Sequence, residues 1–229
     1  MDIGVLMRSA VHFIPIITTC FTIFFAPQLF RRWGAHRPAP HLFWWGLGVA
    51  LYGVGTFTES LTTLLGWHEP IFRAWYISGA LLGGAPLAQG TAYLLFPKRI
   101  ADRLTVALLT MVAIAATAVL LSPIDFTQVE TYRLSGKALE WQWVRAFTPF
   151  INIYAFLLLV GGAVVSAWRY ARRPGMEQRM LANVYIAVGG LLPGIGGTFT
   201  RFGHMEVLYV TELIGLVLIY LGYRTAIAE

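Results

Sequence analysis

An all-α bundle of seven membrane-spanning helices is the fold this sequence predicts, on three observations. The chain is 57% hydrophobic and only 12% charged, about half the charge of an ordinary soluble domain. Its apolar runs reach about 20 residues, the length at which a helix crosses a bilayer's hydrocarbon core. They are continuously apolar rather than alternating, which argues against a β-barrel. With 229 residues and short loops, the natural reading is one transmembrane domain, 1–229, in contact with the lipid bilayer.

Span 1 runs from about Val11 to Phe30 and ends at Arg31-Arg32-Trp33. Span 2, about Leu42 to Leu65, opens with Phe43-Trp44-Trp45, aromatic residues suited to a membrane interface. The tight turn Gly66-Trp67-His68-Glu69-Pro70 leads into span 3, about Ile71 to Phe96, which stops at Pro97-Lys98-Arg99. Span 4, about Leu104 to Leu121, carries no ionisable side chain and reads as a connector. Ser122 to Glu140 is the long polar loop. Span 5 covers about Trp141 to Trp168, span 6 about Met180 to Phe202, and span 7 about Met205 to Tyr223. The lone Cys20 excludes an intrachain disulfide and a multi-cysteine metal site. Met1-Asp2 lacks the basic start of a secretory signal, so no cleaved leader is expected.

Charge sets the orientation. Eleven of the 17 Lys and Arg residues fall on the side of the span 1–2, 3–4 and 5–6 loops, against six on the other. Basic loops stay in the cytoplasm, so the N-terminus is expected outside and the C-terminus inside. The formal charge of +6 therefore reports orientation, and nucleic-acid binding has no support.

A short stretch occurs twice. Gly53-Val54-Gly55-Thr56-Phe57-Thr58-Glu59 returns as Gly194-Ile195-Gly196-Gly197-Thr198-Phe199-Thr200-Arg201. Phe13-Ile14-Pro15-Ile16 in span 1 is echoed by Phe147-Thr148-Pro149-Phe150 in span 5. Histidine-bearing turns, with His68 and His204, follow spans 2 and 6. Spans 1–3 (about 9–97) thus read as a copy of spans 5–7 (about 141–224), joined by span 4 (about 104–121). An odd linker makes this a parallel repeat about an axis along the membrane normal. Together with Pro27-Gln28 in span 1, the three-plus-one-plus-three layout resembles the SWEET transporters and the wider PQ-loop family. The likeness covers topology and one dipeptide and is architectural. A retinal protein is excluded, because span 7 has no lysine.

Ionisable side chains at membrane depth are functional candidates. Glu59 and Arg201 close the two copies of the motif with opposite signs and are expected to meet. Arg73 and Glu206 open spans 3 and 7 and show the same swap. A charged network of Glu59, Arg73, Arg201 and Glu206 is expected, with Arg145, Glu212, His12 and His204 nearby. Glu212 lies deepest, about 10 Å into span 7 at 1.5 Å per residue. Thr56, Ser60 and Thr63 share a helical face with Glu59. His12 and His204 are the residues to test for a haem or metal. The glycines of spans 2 and 6 permit close helix approach, and Pro86, Pro193, Pro15 and Pro149 mark expected bends.

Three classes of function follow. A small-solute transporter or ligand-binding membrane protein, with an outward-facing polar site between the halves, agrees best with the repeat, the bends and the carboxylates. A subunit of a membrane redox complex holding haem, quinone or pigment is the second, and a membrane sensor or scaffold the third. A homo-oligomer or a larger membrane complex agrees with any of them. No phosphate-binding loop, nucleophile elbow or dinucleotide fingerprint is present, so an enzyme is the weaker expectation.

Overall fold

The computed structural model describes residues 10–200 and 202–228. Seven helical segments appear at the seven expected places. A 3-10 turn, Ala10–Phe13, leads into α1 (Ile14–Ala35), followed by α2 (Pro40–Leu65). The third segment is divided into α3 (Glu69–Trp75), a π-helical stretch (Tyr76–Leu81) and α4 (Ala85–Leu95). α5 (Lys98–Leu121) is the fourth. The fifth runs through a 3-10 turn (Gln142–Ala146), α6 (Phe147–Ala155), a second π-helical stretch (Phe156–Gly161) and α7 (Gly162–Ala171). α8 (Glu177–Thr200) and α9 (Met205–Ile227) complete the chain. Among the described residues there is no strand beyond isolated bridges.

Five of these segments are long and apolar enough to cross a membrane: 10–35, 98–121, 142–171, 177–200 and 205–227. That is compatible with an integral membrane protein. Two of the seven expected spans are not among the five. α2 has the length, but its Gly, Thr, Ser and Glu side dilutes its hydropathy. The third segment is interrupted at 82–84, just before Pro86, as a residue that clashes with the preceding turn dictates. Pro193 and Pro27, by contrast, sit inside unbroken helices.

Six segments form a closed order of neighbours. α2 packs between α1 and the third segment, and α8 between the fifth segment and α9. The order closes where α1 meets α9 and where α4 meets α6. α5 stands outside it, against α4, the first π-helical stretch and α6. Its outward side is apolar (Val106, Leu109, Ile114, Leu120, Leu121), a surface suited to lipid rather than water.

The loop of 122–140 is folded rather than slack. Ile124 bridges Leu139, and the Asp125 N–H donates to the Ala138 carbonyl at 2.9 Å. Leu134, Ala138 and Leu139 are buried with Phe72, Tyr76 and Ile151. The loop therefore caps one end of the bundle, where its apolar side chains extend the core.

Candidate functional site

The end of the bundle under this cap holds a cleft of about 380 Å³. His12, Glu130, Arg133, Glu206 and Tyr209 line it, so both signs of charge face one opening. Arg133 is pinned from two sides. It donates to Glu130 at 3.1 Å and to the Thr200 carbonyl, the last of α8, at 2.9 Å. A cation on a C-terminal carbonyl is where the helix dipole favours one.

Beneath the cleft lie two carboxyl groups. Glu59 comes from α2, about 9 Å from its C-terminal end, and Glu212 from α9, about 10 Å from its start, at 1.5 Å per residue. The two side chains meet within hydrogen-bonding reach of one another. Glu59 is 3% exposed, and its Oε1 accepts the Trp75 indole N–H at 3.0 Å. Glu212 is half-buried as a residue, yet its Oε2 is closed off, as is that of Glu59. Neither Oε2 accepts a hydrogen bond from another residue among those described. Buried polar atoms are ordinarily paired, so two such orphans side by side mark this place.

Local sequence positions the pair. Thr56, Ser60 and Thr63 are buried on the Glu59 face of α2, as their spacing predicts. Ser60 returns its hydroxyl to the Thr56 carbonyl (2.8 Å), and Thr56 meets Thr19 of α1 at 2.9 Å. Tyr52, two turns from Glu59, donates to the Glu212 carbonyl at 3.1 Å and ties α2 to α9. Gly55 lets α2 close on the third segment: a Cβ there would lie 3.1 Å from the Gly79 Cα. Gly79 belongs to the π-helical stretch directly after Trp75, so the widened turn and the indole donor share one location. Tyr209, one turn before Glu212, is buried and forms part of the cleft wall.

Toward the arginine-rich end the interior closes. Phe25, Leu29, Trp45, Val49, Leu87, Leu159, Ile186 and Tyr223, from all six ring segments but α9's upper half, leave a residual void of only about 10 Å³. The carboxyl pair thus lies between a polar cleft toward one end and a hydrocarbon-packed interior toward the other.

Other expected members of the network lie elsewhere. Arg73 turns to α5: it pairs with Glu69 at 2.7 Å, donates to the Ser122 carbonyl at 2.8 Å, and also meets the Val119 carbonyl. Those C-terminal carbonyls have no intrahelical donor and take the guanidinium expected in the interior network. Arg145 is exposed and donates to Gln142 at 2.6 Å. Glu206 is exposed on the cleft wall. His12 is on that wall too, edge-on to Tyr209 with ring centroids 6.1 Å apart. His204 is exposed at the start of α9. Arg201, and with it the Glu59–Arg201 pairing, lies outside the described residues. Among the described residues no three His, Cys, Asp or Glu side chains converge as metal ligands would.

Four buried or half-buried residues of these clusters are not singled out by the sequence: Tyr52, Trp75, Gln89 and Tyr209. Tyr209 and Glu212 are three apart and Tyr52 and Glu59 seven apart, spacings that place each pair on one face. Trp75 carried no such signal, since its indole reads as an interface anchor. Gln89 is completely buried and joins three segments through Ala101, Thr105 and Tyr154. A lone Gln in an apolar run was the available sign.

Compared with family models, with curated proteins and with solved structures, the chain matches none.

Proposed function

We propose that this chain is an integral membrane protein that binds a small solute, and carries it across the bilayer, through a polar chamber between two repeat halves. The observation that carries the reading is the meeting of Glu59 and Glu212, each with a buried oxygen that has no donor among the described residues. Ionisable groups at such depth are costly and mark substrate or ion pathways. The cleft above and the apolar seal below match a site reached from one side at a time, the arrangement alternating access requires.

The internal duplication supports the same reading. Gly48 and Gly55 of α2 pack against the third segment, at Leu87 and Gly79. Gly189 and Gly196 of α8, seven residues apart in the same way, pack against α9, at Ile219 and Leu208. Each middle helix thus uses its matched glycines to approach the helix that follows it. The neighbour order α1, α2, third segment, fifth segment, α8, α9 maps onto itself when the first three are exchanged for the last three. Orientation by loop charge puts the cleft outside and the apolar seal toward the cytoplasm.

The test is uptake by the purified chain in proteoliposomes, over a panel of labelled sugars, amino acids and amines, with E59Q and E212Q alongside. Uptake of one solute class that both substitutions abolish is expected. Uptake unchanged in both variants would remove the carboxyl pair from the site. A Soret or pigment band at near-stoichiometric occupancy in the purified protein would replace this reading by a redox one.

A further inference from the structure

We infer that Glu59 and Glu212 share a single proton, and that this proton is exchanged with the cleft by way of Tyr209. The inference rests on the transporter reading for its purpose, because it makes the pair the element that couples solute movement to protons. Two carboxylates have four oxygens and no hydrogen between them, so ionised they repel and cannot bond to each other. Their side chains nevertheless meet within hydrogen-bonding reach, and one oxygen of each has no other partner among the described residues. One proton supplies the donor that both lack. It also leaves the pair with one negative charge, which the Trp75 indole N–H stabilises from the Glu59 side at 3.0 Å.

Among the described residues the surroundings hold few competing groups. On α2 the titratable neighbour is Tyr52, whose hydroxyl is engaged with the Glu212 carbonyl. The 3-10 turn before α1 brings His12 edge-on to Tyr209. On the third segment Glu69 and Arg73 pair with each other toward α5. On α8 the ionisable residues Glu177 and Arg179 lie at the far end. On α9 Glu206 faces the cleft, and from the cap Arg133 is held by Glu130 and Thr200. Among the described residues, Tyr209 is the titratable group that joins the Glu212 helix to the wall of the opening. It lines the cleft and lies one turn from Glu212. A phenol relays a proton without a net change: its oxygen accepts one from cleft water as its own hydrogen passes to the carboxylate.

Infrared spectroscopy of the full chain in liposomes at neutral pH reads this proton directly, with no transported solute. A protonated-carboxyl C=O band that shifts in D₂O is expected. The band should move in each of E59Q and E212Q and vanish in E59Q/E212Q. Tyr209→Phe should keep the band and slow its H/D exchange about a hundredfold, within the usual range for one positioned proton-transfer group. No such band in the wild type overturns the inference, and that result does not depend on any variant folding. A band unmoved in E212Q places the proton on Glu59 alone and overturns the sharing. Loss of the band on replacing choline chloride by sodium chloride identifies a metal-cation site instead. Unchanged exchange in Tyr209→Phe removes the route through Tyr209. A shared-proton band with no uptake of any solute rejects transport and keeps the pair; uptake without the band does the reverse.

Discussion

Two buried polar clusters hold this bundle together, and they differ in one respect. Around Gln89 every hydrogen-bonding group finds a partner: Nε2 donates to the Ala101 carbonyl (3.0 Å) and to Thr105 (2.8 Å), and Oε1 accepts from Tyr154. Tyr93 extends the network to Asp102 at 2.8 Å, which in turn pairs with Lys98. Around Glu59 and Glu212 the bonding stops short, with one oxygen of each left over. A saturated cluster has nothing to offer a ligand and serves to join helices. An unsaturated one keeps capacity for something that arrives and leaves. The first joins α4, α5 and α6 at the periphery; the second sits where α2 and α9 face each other beneath an opening.

Substitutions can break this contrast. The largest effect is expected on activity at the carboxyl pair: E212Q should lower uptake to background while stability stays within about 1 kcal/mol of wild type, because the amide keeps shape and supplies a donor. Q89L should do the opposite. It strands the Tyr154 hydroxyl and should cost about 1–3 kcal/mol, read by thermal unfolding in detergent, with uptake per folded molecule unchanged. If Q89L instead removes uptake from stable protein, the division between joining and binding clusters is wrong.

Packing sharpens the comparison further. Gly55→Leu forces a side chain onto the Gly79 backbone, and Gly196→Leu forces one onto Leu208. Each should cost about 1–3 kcal/mol as overpacking does, whereas Gly197→Ala meets open space and should stay within about 0.5 kcal/mol. Equal costs at Gly55 and Gly196 agree with a duplicated architecture, and a large cost at only one of them counts against it. The smallest change is expected of Thr56→Ala, which removes the hydroxyl contact with Thr19 and should cost about 0.6 kcal/mol, the usual worth of such a bond between membrane helices.

Much of the helix layout was legible in the chain, because apolar run length is a local property. Seven segments appear where the runs predict them, with ends displaced by the caps. α5 begins at Lys98 rather than Leu104, since Pro97 makes a good residue to start after. The bends were legible only in part. Pro86 marks a real break, while Pro193 does not, and the π-helical stretches at 76–81 and 156–161 carry no residue that announces them. The first of them carries Gly79, which the Gly55 backbone approaches closely.

Depth in a helix is likewise readable by counting, so Glu59 and Glu212 are both legible as carboxyls at membrane depth from sequence alone. What counting along one helix cannot supply is the rotation of a helix about its own axis. Arg73 and Glu59 stand toward the same end of the bundle, yet Arg73 faces α5 and its free carbonyls while Glu59 faces Trp75 and Glu212. Composition, apolar run length and loop charge determined that this is a helical chain suited to a bilayer, and that it would carry Glu59 and Glu212 at depth. The tertiary structure alone decided which of them meet, because that depends on long-range contacts between helices far apart in sequence: Tyr52 with Glu212, Trp75 with Glu59, and the two carboxyls with each other.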